Sequence, residues 1–376
     1  MITRLIQFAL AQRVFILILA ALLSGMGWYA FQQIPIDAFP DVASTQVKII
    51  LKAPGMTPEE VENRVAVPIE TEMLGIPKQE MLRTTVKYGI VDITLTFNDG
   101  TDIYWARQQV AERLSGVMSD LPSTLEGGMA PITTPLGEMF QFTVDNPNMS
   151  LMERKSLLDW VIRPALRTVS GVADVNVLGG VSRSYEVVPD PVRMAAAGIT
   201  IDVLKAKIEA NNRNDGAGRL REGGEVLLVR SEGNITSLDD LRAIVIKVDG
   251  MTPVRISDVA EVRIGEMTRN GVVTESGKGE AVEGLVLGLA GANARQVVAG
   301  VEHKITELMP SLPKGTKLSV FYNRASLVDK AVGAVTQSLG EAIVLVLILL
   351  GVFLGNVRAA ITVAVVLPLS ALATFI

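Results

Sequence analysis

The chain has 376 residues, 49% of them hydrophobic and 20% charged, with a net charge of −5. No basic patch stands out, which argues against nucleic acid as a partner. With no cysteine, a disulfide framework and thiolate metal ligation are both excluded.

The apolar excess lies at the two ends, and the stretch between them is long enough for two or three small domains. From Val14 to Ile36 no residue is charged. As a helix, these about 23 residues span about 34 Å, enough to cross a bilayer's hydrocarbon core. Arg4 and Arg13 precede the run. Trp28 and Tyr29 sit near its far end, where amphipathic rings favour the interface. A signal peptide has a shorter apolar region and a small-residue cleavage site, so residues 1–36 read as an uncleaved anchor. Pro35 and Pro40 end that helix, because proline lacks a donor and clashes with the preceding turn.

"TQVKIILKA" alternates, with Val47, Ile49 and Leu51 on one face of a strand. "TPEEVENRVAVPIETEM" opens a helix with Thr57 as cap, Pro58 at the first position and Glu60 three residues after the cap, a capping box. Val61, Val65, Ile69 and Met73 form its buried stripe. "VDITLTFND" sets Val91, Ile93, Leu95 and Phe97 against polar neighbours, and a helix from Asp102 follows. The pattern then repeats. "MFQFTV" is a strand, and Ser150 with Glu153 makes a second capping box on a helix that Pro164 must bend or split. "VADVNVLGGVSRSYEVV" carries a hairpin signal at Gly179 and Gly180. Downstream come the strand "AVEGLVLGLA", a helix capped by Asn293 and the strand "TKLSVFY".

Two such strand–helix–strand sets predict an α+β membrane protein whose outside region holds ferredoxin-like split βαβ domains. The approximate repeat is visible in "SDLPSTLEGGMAPI" beside "LMPSLPKGTKLSV". Between them lie a helix, "TIDVLKAKIEANNR", and short strands with Gly, Asn and Ser turns, including "TPVRISDVAEVRIG" and "NGVVTES", a small β-rich insertion. The boundaries read as 37–135 for the first domain, 136–180 with 270–330 for the second, and 181–269 for the insertion. A second span, residues 331–355, contains "EAIVLVLILLGVFLG"; a third starts at 359–376, where Pro368 predicts a kink. That last run ends at Ile376 with no polar flank, so the expectation is a piece of a longer membrane protein. Arg4, Arg13 and Arg358 flank the spans on one side; the positive-inside rule makes that side cytoplasmic and puts residues 38–338 outside.

"IPIDAFPDV", "PGMTPEEVENRVAVPIE", "FNDGTDIYWARQQVAERL" and "GVADVNVLGGVSRSYEVVPDPVRMAAAGIT" resemble the resistance–nodulation–division efflux transporters, and more narrowly their heavy-metal branch. "RNGVVTESGKGEAVEGLVLGLAGANARQVV" and the run from "NRASLVDKAVGAV" to "VAVVLPL" carry the resemblance nearly to the end of the chain. It implies that the split βαβ domains are the first two porter subdomains and the insertion half of a docking domain. It further implies a proton-driven, homotrimeric antiporter in the bacterial inner membrane, with a periplasmic adaptor and an outer-membrane channel as partners and no cofactor. The proton-relay carboxylates and main metal ligands would lie beyond Ile376.

Within the chain, Asp99, Asp102, Glu138 and Met139 are candidates to line a cation path, although turn and cap roles suit the two aspartates. His303 stands alone, a poor metal site on the solvent side of its helix, since zinc needs three or four ligands. Of the 14 methionines, Met73, Met118 and Met309 fall on or next to helix stripes, which is core filling. Glu341 opens the second span; it is either functional, as ionisable groups near hydrocarbon tend to be, or an interfacial residue at a helix N-terminus stabilised by the macrodipole. "GAGRLR" has Arg221 where a dinucleotide fingerprint needs its third glycine, and no hydrolase or phosphate-loop motif occurs, so an enzyme is not indicated. Two other readings stay open: a drug or amphiphile exporter on the same fold, and a membrane-anchored periplasmic scaffold or adaptor, against which the third span argues.

Overall fold

The computed structural model describes residues 7–9, 11–33, 43–134, 136–212, 215–222, 225–231, 233–249, 252–269, 271–354, 365–366, 368–374 and 376, without the side chains of 215–222, 225–231, 249 and 354. Helix α1 (Arg13–Gln33) is apolar on every face, and Leu17, Ile18, Leu22 and Trp28 stand exposed. Such a helix is stable in lipid rather than in water. Arg4, Pro35, Asp37, Pro40, Arg358 and the linker they mark lie outside the described residues.

The first sheet is built from β1 (Gln46–Lys52), β2 (Gln79–Lys87), β3 (Ile90–Phe97) and β4 (Glu126–Met129) in the order β2-β3-β1-β4. Its pairings are antiparallel, and the register sets Ile49 opposite Ile93 and Leu51 opposite Val91. The alternation read in the sequence is the cause: one face of β1 and of β3 is buried, and β2 keeps the same alternation half-buried. That face packs on Val61, Val65, Ile69 and Met73 of the first helix and on Ala106, Val110, Leu114 and Val117 of α4 (Ile103–Val117).

The first helix enters through the capping box: Glu60 N donates to Thr57 Oγ1, and Thr57 N donates to Glu60 Oε2 at 2.9 Å. It runs as α2 (Pro58–Val61), a π-helical turn (Glu62–Ala66) and α3 (Val67–Met73). Pro68 follows the π turn by two residues. A proline ring collides with the carbonyl four residues back and leaves it without a donor. The wider turn, with its i to i+5 spacing, re-routes the ladder at that place.

The second sheet repeats the first. It is formed by β5 (Glu138–Asp145), β6 (Val172–Gly179), β13 (Val282–Gly288) and β14 (Lys317–Asn323) in the order β14-β5-β13-β6. Matching β1 to β5, β2 to β6, β3 to β13 and β4 to β14 makes the two orders identical. The first helix repeats as well: α5 (Leu151–Leu157), a π turn (Leu158–Ile162) and α6 (Arg163–Leu166), which contains Pro164. Pro164 therefore does not split its helix; a π turn just before it re-routes the ladder. The closing helices also correspond. α4 and α11 (Ala294–Leu308) are each 15 residues long, each is followed by a three-residue 3-10 turn, and each then leads into a Leu-Pro pair.

The chain divides into two compact units, one of Met1–Val144, Val161–Val177 and Glu283–Ile376, the other of Asp145–Trp160 and Leu178–Val282. In the second, β7 (Arg183–Pro189) pairs with β12 (Ala260–Glu266), β10 (Val245–Asp249) with β11 (Thr252–Arg255), and β8 (Asp215–Glu222) with β9 (Glu225–Ser231). Met194 of α7 (Pro191–Ala197), Leu204 of α8 (Ile201–Asn211) and Leu241 of α9 (Leu238–Ala243) share its core with Ile246, Ile256 and Val262.

Four expectations change. β6 and β7 are not a hairpin, because they belong to different sheets. Gly179 and Gly180, at φ 69° and 63°, carry the chain between them, and a Cβ on Gly179 would lie 2.4 Å from the Ala281 carbonyl. In "TPVRISDVAEVRIG" a helical turn, α10 (Ile256–Val259), separates the two strands. "NGVVTES" contributes only an isolated bridge, Thr274 with Glu280. Met73 fills the core, but Met118 and Met309 sit exposed in the 3-10 turns after their helices.

Candidate functional site

Helix α12 (Arg324–Leu354) follows β14 without a connecting loop and is one of two helices, among the described residues, long and apolar enough to cross a membrane; the other is α1. Glu341 therefore does not begin a helix. It lies about five turns inside α12, beyond reach of the N-terminal macrodipole, which fades within the first turn. Its Oε1 accepts a hydrogen bond from Gln337 Nε2 at 2.9 Å. The two side chains border an open groove of about 410 Å³ whose other walls include Val344, Leu345 and Ile348.

The other candidates separate into two places. Asp102 caps α4, with Oδ1 accepting from Trp105 N at 2.7 Å. It also lines a cavity of about 330 Å³ with the hydroxyl-bearing Ser44, Thr45, Thr101, Thr133 and Thr134. Asp99 occupies the exposed turn before α4 and is not part of that lining. The cap role foreseen for Asp102 holds, and its carboxylate stays at the cavity wall.

Glu138 opens β5, exposed, with Oε2 accepting from Gln141 Nε2 at 2.9 Å. The antiparallel register sets Glu138 opposite Leu287 and Glu283 opposite Thr143, so both carboxylates belong to the β5–β13 pair. Burial first, and then the charge of Glu138, raise the Glu283 carboxyl above the ordinary range. The Thr143 Oγ1 is buried without a hydrogen-bond partner. Sequence reasoning missed Glu283, although a lone acid in the apolar "AVEGLVLGLA" was the available signal. Met139 is 4% exposed and packs where a Cβ on Gly288 would lie 2.4 Å from its sulfur, so it fills the interior.

On β6, Asp174 is ion-paired by Arg163 at 3.1 Å and Arg167 at 3.3 Å, and its Oδ1 accepts from Val175 N. His303 is exposed on α11, as expected. Among the described residues no group of three or more His, Cys, Asp or Glu side chains converges to hold a metal ion.

Comparison with known proteins matches the model of the AcrB/AcrD/AcrF family to residues 5–376. The chain is 39% identical to the cation efflux system protein CzcA of Alcaligenes sp. (strain CT14), over 100% of this chain and 36% of that protein. It is 35% identical to the cation efflux system protein CusA of Escherichia coli (strain K12), again over 100% of this chain and 36% of that protein. A crystal structure of a heavy metal efflux pump superposes with a TM-score of 0.90 at 33% identity, covering 99% of this chain and 38% of that one. A second crystal form gives 0.91 at 34% identity, covering 99% and 37%. The chain thus spans 36% of the length of these curated relatives.

Proposed function

The chain belongs to the AcrB/AcrD/AcrF family, and on that footing we propose that it is part of the inner-membrane permease of a proton-driven pump exporting heavy-metal cations. The observation that carries this reading is the agreement of sequence and structure with heavy-metal pumps along nearly the whole chain. The antiporter moves its cargo and is not an enzyme. In this reading the repeated sheets are porter subdomains of the ferredoxin-like type, over residues 37–135 and 136–180 with 270–330. The shared strand order, with each unit reading βαββαβ, supports that assignment. Residues 181–269 are the docking insertion, and the protein works as a homotrimer with a periplasmic adaptor and an outer-membrane channel.

Residues 38–338 face the periplasm and Arg358 the cytoplasm, in keeping with the positive-inside rule. Glu138 and Glu283 lie on the cation path and concentrate cations electrostatically, whereas Asp102 borders a separate polar cavity. The amphiphile-exporter reading is weaker, because an amphiphile site is a large, mainly apolar cleft, whereas the cavity beside Asp102 is about 330 Å³ and mixes Ile103 and Ile132 with five hydroxyl-bearing side chains and a carboxylate. Deleting the full gene tests the proposal. Minimum inhibitory concentrations should fall for zinc, cobalt or cadmium, or else for copper or silver, and recover on complementation. Sensitivity to dyes and detergents with no change for any metal would overturn it. Alkaline phosphatase fused at Gly233 should be active and at Asn356 inactive; the reverse would overturn the topology.

A further inference from the structure

The base of α12 is held at three points. The helix continues β14 directly, and Asn323 caps it, its Oδ1 accepting from Ser326 N at 3.1 Å. One turn on, Val328 is fully buried, and Asp329 pairs with Arg295 in the first turn of α11 at 2.6 Å. The third attachment is buried. Arg324, at 4% exposure, donates through its guanidinium to the carbonyl of Leu136. Leu136 stands two residues before Glu138, in a segment that is itself held: Gly137 N donates to Thr134 O at 2.9 Å, and Gly288 N donates to Gly137 O at 2.8 Å. From Lys330 onward most of α12 is exposed, and it runs unbroken to Leu354. A 31-residue helix is about 46 Å long, so a small tilt of its membrane part acts as a lever on the few residues at its base.

We propose that Arg324 is a positioning residue for transport: through the Leu136 carbonyl it ties the base of the membrane-crossing helix α12 to the segment that carries Glu138. Tilting of α12 then moves the entry of β5 against β13, and with it the spacing of Glu138 and Glu283. The Asp329–Arg295 pair, largely exposed at both partners, contributes little stability of its own; the buried guanidinium, with donors in a fixed fork, is the stiff link. This inference rests on the transport reading above.

The test uses the full-length transporter in proteoliposomes, with zinc supplied on the periplasmic face and an imposed proton gradient. Arg324→Gln should lower kcat by about fivefold or more, the size usual for coupling between linked sites, while KM and zinc binding without a gradient stay at wild-type values. Arg324→Lys, which keeps a charged donor for the carbonyl, should recover most of the rate. A purely structural role would lower binding and reconstituted protein together and would not separate kcat from KM. Unchanged kcat in Arg324→Gln, a matching loss of zinc binding, or failure of lysine to rescue would overturn the proposal alone. A wild-type protein that moves none of the metal cations would overturn the transport reading and this proposal with it.

Discussion

Gly284 and Phe142 face each other across β13 and β5, and both are buried. A Cβ on Gly284 would lie 2.4 Å from Phe142 Cζ and 2.7 Å from Cε1. The ring is fully buried, so Gly284→Ala overpacks the second sheet. Forcing one extra methyl into a packed core costs about 1–3 kcal/mol, which is roughly 5- to 150-fold in a local opening equilibrium. Native-state hydrogen exchange reads it directly: the amides of β5 and β13 should exchange faster by that factor, while those of β1 and β3 in the first sheet stay unchanged. Phe142→Leu alone should also destabilise by leaving a cavity. Combined with Gly284→Ala it should cost less than the two singles together, because the alanine methyl enters space the ring gave up. Strictly additive costs, or equal acceleration in the first sheet, would refute the packing argument.

Three further outcomes follow from the same geometry. Glu283 has a raised folded-state pKa, so its protonated form is favoured by folding, and stability falls as pH rises from the ordinary glutamate range through the raised value. Glu283→Gln should remove that slope and be the more stable protein above it, measured by denaturant unfolding across pH. Glu60 and Glu153 are the opposite case. Hydrogen bonds from Thr57 and Ser150 lower their pKa, so their capping contribution is present above the ordinary carboxylate range and lost as pH falls through the lowered values; Glu60→Gln and Glu153→Gln should flatten acid unfolding there. In α1, a Cβ on Gly27 would meet the Leu372 carbonyl at 2.3 Å, so Gly27→Leu should abolish a disulfide cross-link between cysteines placed at Met26 and Ala371, and persistence of the cross-link would refute that close approach.

Much of the fold was legible because local rules and tertiary structure agree. The strand at Val91–Phe97, the stripe from Val61 to Met73 and the caps at Thr57, Ser150 and Asn293 stand where alternation, periodicity and cap chemistry put them. The misses are places where local signals have two outcomes. Two glycines suit a hairpin or a crossing between sheets, and only the close approach to Ala281 decides for the crossing. Pro164 suits a bend or a split, and the π turn before it, repeated before Pro68, removes the split. The candidate site was half legible. Glu138 could be named, but Glu283, on the strand that pairs with β5, lies far along the chain, and strand pairing is not a local property. Glu341 suits a helix start in sequence because the apolar run begins there; the polar first turns of α12 hide the true one.

We propose that the full-length protein moves metal cations against a counterflow of protons. Full-length protein reconstituted in liposomes, with a cation-sensing dye on one side and a pH dye on the other, measures both fluxes at once. Adding zinc, cobalt, cadmium, copper or silver in turn should give, for at least one, cation transport coupled to opposing proton movement, and amphiphilic dyes should give none. Proton-coupled movement of amphiphiles with no flux of any metal would contradict it.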